Sequence, residues 1–456
     1  MAISRNIFRQ YDIRGVTHDD LTTEAALAIG DAYARHIRSL GRTGTVVVGR
    51  DNRPSGGALR DSLVEGLTKA GVDVLDIGVV PTPVMYWTLS HAEVVGGIQI
   101  TGSHNPPEYN GFKMCVGTDS LHGDGIQRLY QLTQEQAESA GRAGSVRSTD
   151  VLDQYIADIL ERTGPLARRL KVVIDSGNGA GALVAPKLFS QVGIDATCIF
   201  CESDGTFPNH HPDPTVVENL HDLIETVKRE KADLGIAFDG DADRIGVVDS
   251  RGEIIWGDHL LILYARDVFA RTGADQPIIF DVKCSQALPD AIEAAGGRPV
   301  MWKTGHSLIK EKMKELRAPL AGEMSGHMFF SEGFYGHDDA VYAAARLLRI
   351  VAADGRAVHE MLSDVPKFVS TPEIRVDCPD DLKFDIVDRA VAHFSSVRDV
   401  VNVDGARVLY GDGWGLIRAS NTQPVLVMRF EALTEERLGE IRRDMEAWLE
   451  GQGVRV

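Results

Sequence analysis

The sequence predicts an α/β protein: three similar α/β domains, with mixed sheets covered by helices, plus a C-terminal α+β domain, around a central cleft. Three observations predict this. Helices and short, wholly apolar strands alternate from residue 29 onward, and the alternation repeats three times. A helix-closing glycine precedes a strand in each copy, in "KAGVDV", "SQVGID" and "AAGGRP". From residue 367 the pattern changes to strands separated by turns. Strands with no polar alternation belong to sheets buried on both faces, and alternating helices supply the cover.

In the first unit, Ile29, Tyr33, Ile37 and Leu40 share one helix face, and "TVVVG" at 45–49 reads as a buried strand. Leu59, Leu63 and Leu67 mark a second helix, closed by Gly71 before the strand "VDVLDIG". The order returns as "LKVVID", "APKLFSQVG" and "IDATCIF", then as "PIIFDVK", "AIEAAGG" and "RPVMW". Each unit also holds a strand with an unusual exit: "GGIQI" runs into "TGSHNP", "LGIAF" into "DGDADR", and "APLAG" into "EMSGH". Ligands gather at the carboxyl ends of strands in open α/β sheets, so three such loops are expected to meet in one cleft. Polar stretches at 139–150 and 363–373 read as linkers, giving expected domains of 1–148, 149–252, 253–366 and 367–456. The last ends on the helix "TEERLGEIRRDMEAWLEG".

The chain of 456 residues is 43% hydrophobic and 25% charged, with 48 Lys and Arg against 66 Asp and Glu, a formal charge of −18. That balance argues against nucleic acid or an anionic membrane as partner, because both require a basic face. "MAISRNIFRQYDIRG" lacks an apolar core of signal-peptide length, and no segment is apolar enough to span a bilayer, so a cytoplasmic protein is expected. Cys115, Cys198, Cys201, Cys284 and Cys378 show no metal-site pairing. Cys198-x-x-Cys201 lies in the apolar run "ATCIF", which favours strand packing over zinc or redox chemistry.

In "DGDADR", Asp239, Asp241 and Asp243 alternate along the chain, and an extended backbone would aim all three carboxylates to one side, toward a divalent cation with Mg²⁺ as first choice. An EF-hand is excluded, since Arg244 stands at the sixth loop position and Ser250 at the twelfth. Oxygen sites with few protein ligands complete their shell with water and phosphate. "GLIRASNTQP" gathers Arg418, Ser420, Asn421 and Thr422 on one turn, a guanidinium fork with hydroxyl and amide donors suited to a phosphate monoester. "GEMSGH" offers Glu323, Ser325 and His327 for sugar hydroxyls, and Lys283 and His306 follow strands in the same unit. Ser103, in the turn "TGSHNP" beside His104 and near Lys113, supplies a hydroxyl for phosphoryl transfer neutralised by metal and Arg244.

"TGSHNP", "DGDADR", "GEMSGH" and "RASNTQP", in this order and spacing, resemble the α-D-phosphohexomutase superfamily, most closely its bacterial phosphomannomutase/phosphoglucomutase branch. "FRQYDIRG" and "FPNHHPDP" are similar to that branch too, so the resemblance covers nearly the whole chain. It implies that phospho-Ser103 exchanges its phosphoryl group with a hexose phosphate through a 1,6-bisphosphate, which also serves as activator, moving phosphate between O1 and O6. It implies Mg²⁺ on Ser103, Asp239, Asp241 and Asp243, and places Arg14, Lys113, Arg244, His306 and His104 around the reacting phosphate. Arg418, Ser420, Asn421 and Thr422 hold the idle phosphate, Glu323 and Ser325 read O3 and O4, and Tyr11, Lys283 and His327 complete the substrate set. Gln423 and His337 depart from the branch at the edges of their motifs. Methionine and glycine in "GEMSGH" favour mannose or glucose phosphates over the glucosamine branch. A phosphoglucosamine mutase, a metal-dependent sugar phosphatase and a non-enzymatic sugar-phosphate-binding protein are the competing readings.

Overall fold

The computed structural model describes residues 3–136, 141–421 and 423–455. Its first sheet runs in the order Ile13–Val16, Tyr109–Val116, Gly96–Ile100, Thr45–Arg50, Asp73–Val79, Val146–Ser148. The second is Ile254–Ile255, Ile245–Asp249, Leu234–Phe238, Lys171–Asp175, Asp195–Ile199, and the third is Arg298–Trp302, Pro277–Asp281, Leu320–Gly322, Met328–Phe330.

The same local topology recurs in all three. Gly96–Ile100, Leu234–Phe238 and Leu320–Gly322 each lie parallel to one neighbour and antiparallel to the strand that follows. The loops after them therefore sit at the carboxyl end of a parallel strand, pinned by a return strand. All residues of these three strands are buried, as their apolar composition requires.

The fourth sheet is antiparallel: Val425–Ala432 lies between Gly413–Ala419 on one side and Val369–Ser370 and Ile374–Asp377 on the other. Helices Lys383–Ser395 and Glu435–Glu450 pack on it. The cores divide differently from the sheets. One cluster is continuous from Val47 through Val172 and Leu260 to Val365, whereas residues from Val376 to Val454 form their own. Helix Ala340–Asp354, apolar on nearly every side, is buried along most of its length within the shared core.

Three expectations change. Within 139–150, residues Val146–Ser148 form a parallel edge strand against Asp73–Val79, tied down where Asp73 accepts from the Ser145 amide at 2.7 Å, while 139–140 lie outside the described residues. Within 363–373, Val369–Ser370 pairs with Val425–Ala432. Both stretches are polar because they make edge strands, which keep one side in water. Of the two cysteines expected to pack in a strand, Cys198 lies on the edge strand Asp195–Ile199 but is exposed, and Cys201 follows the strand, half-buried against the shared core. Among the described residues no helix is long and apolar enough to cross a membrane.

Candidate active site

Ser103 is buried and adopts φ +50°, a left-handed conformation that costs a non-glycine residue free energy and persists only where its surroundings enforce it. The enforcement comes from Arg53. Its guanidinium donates to the carbonyls of Ser103 (2.7 Å), Asn105 (2.6 Å), Pro106 (2.5 Å) and Tyr109 (3.0 Å), and to Asp51 at 3.1 Å. Asp51 in turn accepts from the Gly102 amide at 3.1 Å. The serine loop is thus wrapped around one buried cation. Sequence reasoning missed Arg53 and Asp51, although "GRDNRPSG" leaves the buried strand Thr45–Arg50 in the same manner as the three loops it did single out.

The Ser103 hydroxyl lies 3.1 Å from Asp239 Oδ2 and 3.0 Å from His104 Nδ1. Burial, together with the cations Arg244, Arg14 and Lys113, pushes the His104 pKa well below the ordinary histidine value. His104 is therefore a neutral imidazole at neutral pH.

The acidic loop touches the serine loop directly. A Cβ on Gly240 would stand 2.3 Å from the Ser103 carbonyl oxygen, so only glycine allows the approach. Asp239, Asp241 and Asp243 are fully buried, with ligand oxygens within 4.8 Å of one another. The expected cause of this convergence was strand alternation, and the structure corrects it. The segment is a tight turn with Ala242 at φ +59°, and Asp239 Oδ1 accepts from the amides of Asp243 and Arg244, each at 3.0 Å. A turn closed on its own first side chain gathers the acids more tightly than an extended segment.

Lys113 Nζ pairs with Asp241 at 2.8 Å and also with Asp243, and the Thr82 hydroxyl donates to Asp241 at 2.5 Å. Burial and the neighbouring Asp243 and Asp241 push the Asp239 carboxyl well up, whereas Lys113 holds Asp241 below the usual carboxylate range against the effect of burial. Asp241 Oδ1 and Asp243 Oδ1 are buried without hydrogen-bond partners. Orphaned carboxylate oxygens facing one point, with too few cations to neutralise them, fit an oxygen-seeking divalent metal.

Beyond this turn, Arg244 Nε lies 3.0 Å from His327 Nε2. His327 Nδ1 is 3.2 Å from Asp338 Oδ2 and 3.6 Å from Asp243 Oδ1, and Asp338 also accepts from Lys310 at 3.0 Å. His306 Nδ1 stands 3.8 Å from Asp338. Burial and Lys310 hold the His306 pKa well down. Asp338 and Lys310 were not expected from sequence; the neighbouring Asp339 caps the helix that follows, accepting from the Tyr342 amide.

The other expected residues gather at the far end of the same cleft. Glu323 is buried, accepts from the Gly305 amide at 2.7 Å, and has its carboxyl pKa raised by burial. Ser325 sits half-buried on the turn between Leu320–Gly322 and Met328–Phe330. Lys283 pairs with Glu373 at 3.2 Å, and Arg418 with Asp404 at 2.9 Å. Asn421 donates to the Tyr11 hydroxyl at 2.5 Å, and Tyr11 donates to the Thr304 carbonyl at 2.7 Å, so one phenol ties the first, third and fourth sheets' loops together. Ser420 Oγ accepts from the Gln423 amide at 3.2 Å, and Thr422 lies outside the described residues. Arg14 pairs with Asp12 at 2.5 Å, and the rings of Tyr11 and His306, 6.3 Å apart, link the two ends.

A buried hydroxyl against an acidic turn, with Arg418 and Lys283 lining the same cleft, fits phosphoryl transfer. Family models match along the chain. Those for phosphoglucomutase/phosphomannomutase α/β/α domains I, II and III match residues 5–139, 153–252 and 256–368, and that for the C-terminal domain matches 373–447. The chain belongs to the phosphoglucomutase/phosphomannomutase family, within the α-D-phosphohexomutase superfamily. It is 50% identical to a phosphomannomutase/phosphoglucomutase of Pseudomonas aeruginosa, over 97% of this chain and 95% of the relative. It is 44% identical to a phosphoglucomutase of Neisseria meningitidis serogroup A, over 98% and 97%. A crystal structure of a phosphoglucomutase/phosphomannomutase family protein from Burkholderia thailandensis superposes with a TM-score of 0.91 at 44% identity, covering 98% of each chain. The protein is a hexose-phosphate mutase, an isomerase that moves phosphate within its substrate; its relatives' names do not favour the glucosamine alternative.

Proposed function

We propose that Ser103 carries the phosphoryl group and exchanges it with O1 and O6 of mannose or glucose phosphates through a hexose 1,6-bisphosphate, which also acts as activator. The observation that carries this reading is Ser103 Oγ held 3.1 Å from Asp239 in a strained, buried loop beside Lys113. Asp239, Asp241 and Asp243 would hold Mg²⁺, which neutralises charge on the transferring phosphoryl group when bound. Arg418, Ser420, Asn421 and Thr422 bind the idle phosphate, with Lys283 beside them, while Glu323 and Ser325 accept and donate at the sugar hydroxyls. Tyr11 orients the Asn421 amide. Arg14, Lys113 and Arg244 stabilise charge at the reacting end, where His327 steadies the Arg244 guanidinium. The neutral imidazoles of His104 and His306 can take the proton of an attacking hydroxyl there. After the first transfer the bisphosphate turns end for end, and its other phosphate returns to Ser103. Five free cysteines fit the reducing interior of a cytoplasmic enzyme.

The test is phosphorus NMR of the protein with Mg²⁺, a trace of glucose 1,6-bisphosphate, and either mannose 1-phosphate or glucose 1-phosphate. The 6-phosphate is expected to appear without inorganic phosphate, and Ser103→Ala to abolish the conversion while leaving the melting temperature in place. Inorganic phosphate as the sole product would replace the mutase cycle with phosphatase chemistry, and an active Ser103→Ala protein would remove the phosphoserine.

A further inference from the structure

Arg244 and His327 come from different domains and are set side by side by their backbones. The two residues form an antiparallel bridge, and the Ile245 amide donates to the Gly326 carbonyl at 3.1 Å. Gly326 adopts φ +93°, and a Cβ there would stand 2.3 Å from the Ile245 carbonyl oxygen, so glycine is what lets the two chains meet. The Arg244 guanidinium reaches His327 Nε2 through its Nε at 3.0 Å. Among the described residues that is its only hydrogen bond, which leaves the two terminal amino groups for an anion in the cleft.

Arginine carries donors only, so His327 Nε2 is the acceptor of this pair and bears no proton. The ring hydrogen therefore stands on Nδ1. The carboxylate oxygen nearest to it is Asp338 Oδ2 at 3.2 Å, ahead of Asp243 Oδ1 at 3.6 Å. His327 Nδ1 and Asp338 Oδ2 are both buried and have no other hydrogen-bond partner. Asp338 is itself clamped: its backbone bridges Phe329, two residues beyond His327, and its Oδ1 accepts from Lys310 Nζ at 3.0 Å. Lys310, on the helix His306–Leu316, is buried and lies 4.0 Å from the centroid of the Tyr86 ring. The ammonium offsets the carboxylate, so Asp338 directs the imidazole hydrogen without stranding a charge in the core.

We propose, building on the place given to Arg244 at the reacting end, that Asp338 backed by Lys310 is a positioning residue. It holds the His327 hydrogen on Nδ1, keeps the Nε2 lone pair for Arg244, and so aims the Arg244 fork at the transferring phosphoryl group. With the hydrogen on Nε2 instead, two donors would face each other and the guanidinium would turn away. Asp338 thus acts on a charge it never touches, two side chains removed.

The test is nitrogen NMR of the full-length protein labelled at its histidine rings, without substrate, with His327→Gln supplying the assignment, alongside steady-state kinetics. The unaltered protein should show His327 protonated on Nδ1 alone. Asp338→Asn lets an amide NH2 face Nδ1, and should move the hydrogen to Nε2. It should also lower kcat by about a hundredfold, the loss expected when one donor to a developing oxyanion is misplaced, with KM changed less than about threefold. Asp338→Asn combined with Lys310→Met removes both buried charges together, so the same two changes can be read if the single variant fails to fold. In an Arg244→Lys background, Asp338→Asn should cost less than about threefold, because both act through one guanidinium. His327 protonated on Nε2 in the unaltered protein, or a hydrogen that stays on Nδ1 in the folded variants, would overturn the relay. A moved hydrogen with full turnover, or losses that multiply in the Arg244→Lys background, would overturn its link to Arg244. The nitrogen signals are read without substrate, so a failure of the relay shows there, whereas a failure of the Ser103 assignment shows only in turnover of the unaltered protein.

Discussion

The Arg53 guanidinium and the Ser103 backbone carbonyl are joined by a 2.7 Å hydrogen bond beneath the strained serine. Nearly all the donors of Arg53 go to loop carbonyls and to Asp51, at 1% exposure for both residues. Arg53→Ala leaves the Asp51 carboxylate buried and unpaired, which should destabilise the protein by about 3–5 kcal/mol. Arg53→Lys retains the charge but not the fork, and should lower turnover by about a hundredfold, the cost of a nucleophile displaced by about 1 Å. Urea unfolding and turnover of the two variants measure this. Unchanged turnover in Arg53→Lys would show that the serine loop holds itself.

Chelation should be fully reversible. Without metal, Asp241 and Asp243 retain Lys113, Asp241 also Thr82, and Asp239 the amides of Asp243 and Arg244, so EDTA is expected to abolish turnover while the fold survives, and Mg²⁺ to restore it. Asp239→Asn should raise the Mg²⁺ concentration for half-maximal turnover by at least about tenfold, because an amide gives up the charge that draws the cation. A variant saturating at the original Mg²⁺ concentration would take Asp239 out of the ligand set.

Acid should loosen the fourth domain first. Lys283, 3.2 Å away, and Arg375 hold the Glu373 carboxyl down at about 2. A depressed folded-state pKa contributes stability that is present above the ordinary glutamate value and is lost as pH falls through the folded one. Amide exchange in Val425–Ala432 should therefore rise relative to the Pro277–Asp281 strand as pH drops from about 5 toward about 2. Glu373→Gln should flatten this contribution, and an identical profile in that variant would assign the acid response elsewhere.

Tyr11→Phe removes the hydroxyl that takes the Asn421 proton and gives its own to Thr304. The loss of about 1–1.5 kcal/mol expected for such bonds corresponds to KM raised about tenfold with kcat little changed. Steady-state kinetics separate the two; a fall confined to kcat would move Tyr11 to the reacting end of the cleft.

The three-fold repeat and its strand-exit loops were legible because both rest on local pattern: apolar runs, helix-end glycines and loop composition. Ser103, Asp239, Glu323 and Arg418 were singled out that way. Arg53 and Asp338 were not, because each acts on groups distant in sequence. Arg53 serves carbonyls around 103–109, and Asp338 serves Lys310, His327 and His306. The geometry of the acidic turn was misread for a related reason: alternation along a chain fixes side-chain direction only in a strand, and Ala242 at φ +59° takes this segment out of one.

The loop carrying Lys283 meets the fourth domain through buried arginines. Arg407 donates to the carbonyls of Val282 and Cys284, each at 2.7 Å, and Arg429 to that of Lys283 at 2.7 Å. Carbonyl oxygens are the same whatever residue bears them. These three bonds are therefore blind to side-chain identity, and would survive a substitution that keeps the backbone in place. The side chains add a second, sequence-dependent layer: Val282 packs with Trp414 and Leu416 of the fourth domain, and Lys283 pairs with Glu373. Drift along 282–284 would thus loosen the joint by degrees, its carbonyl bonds outlasting its side-chain contacts.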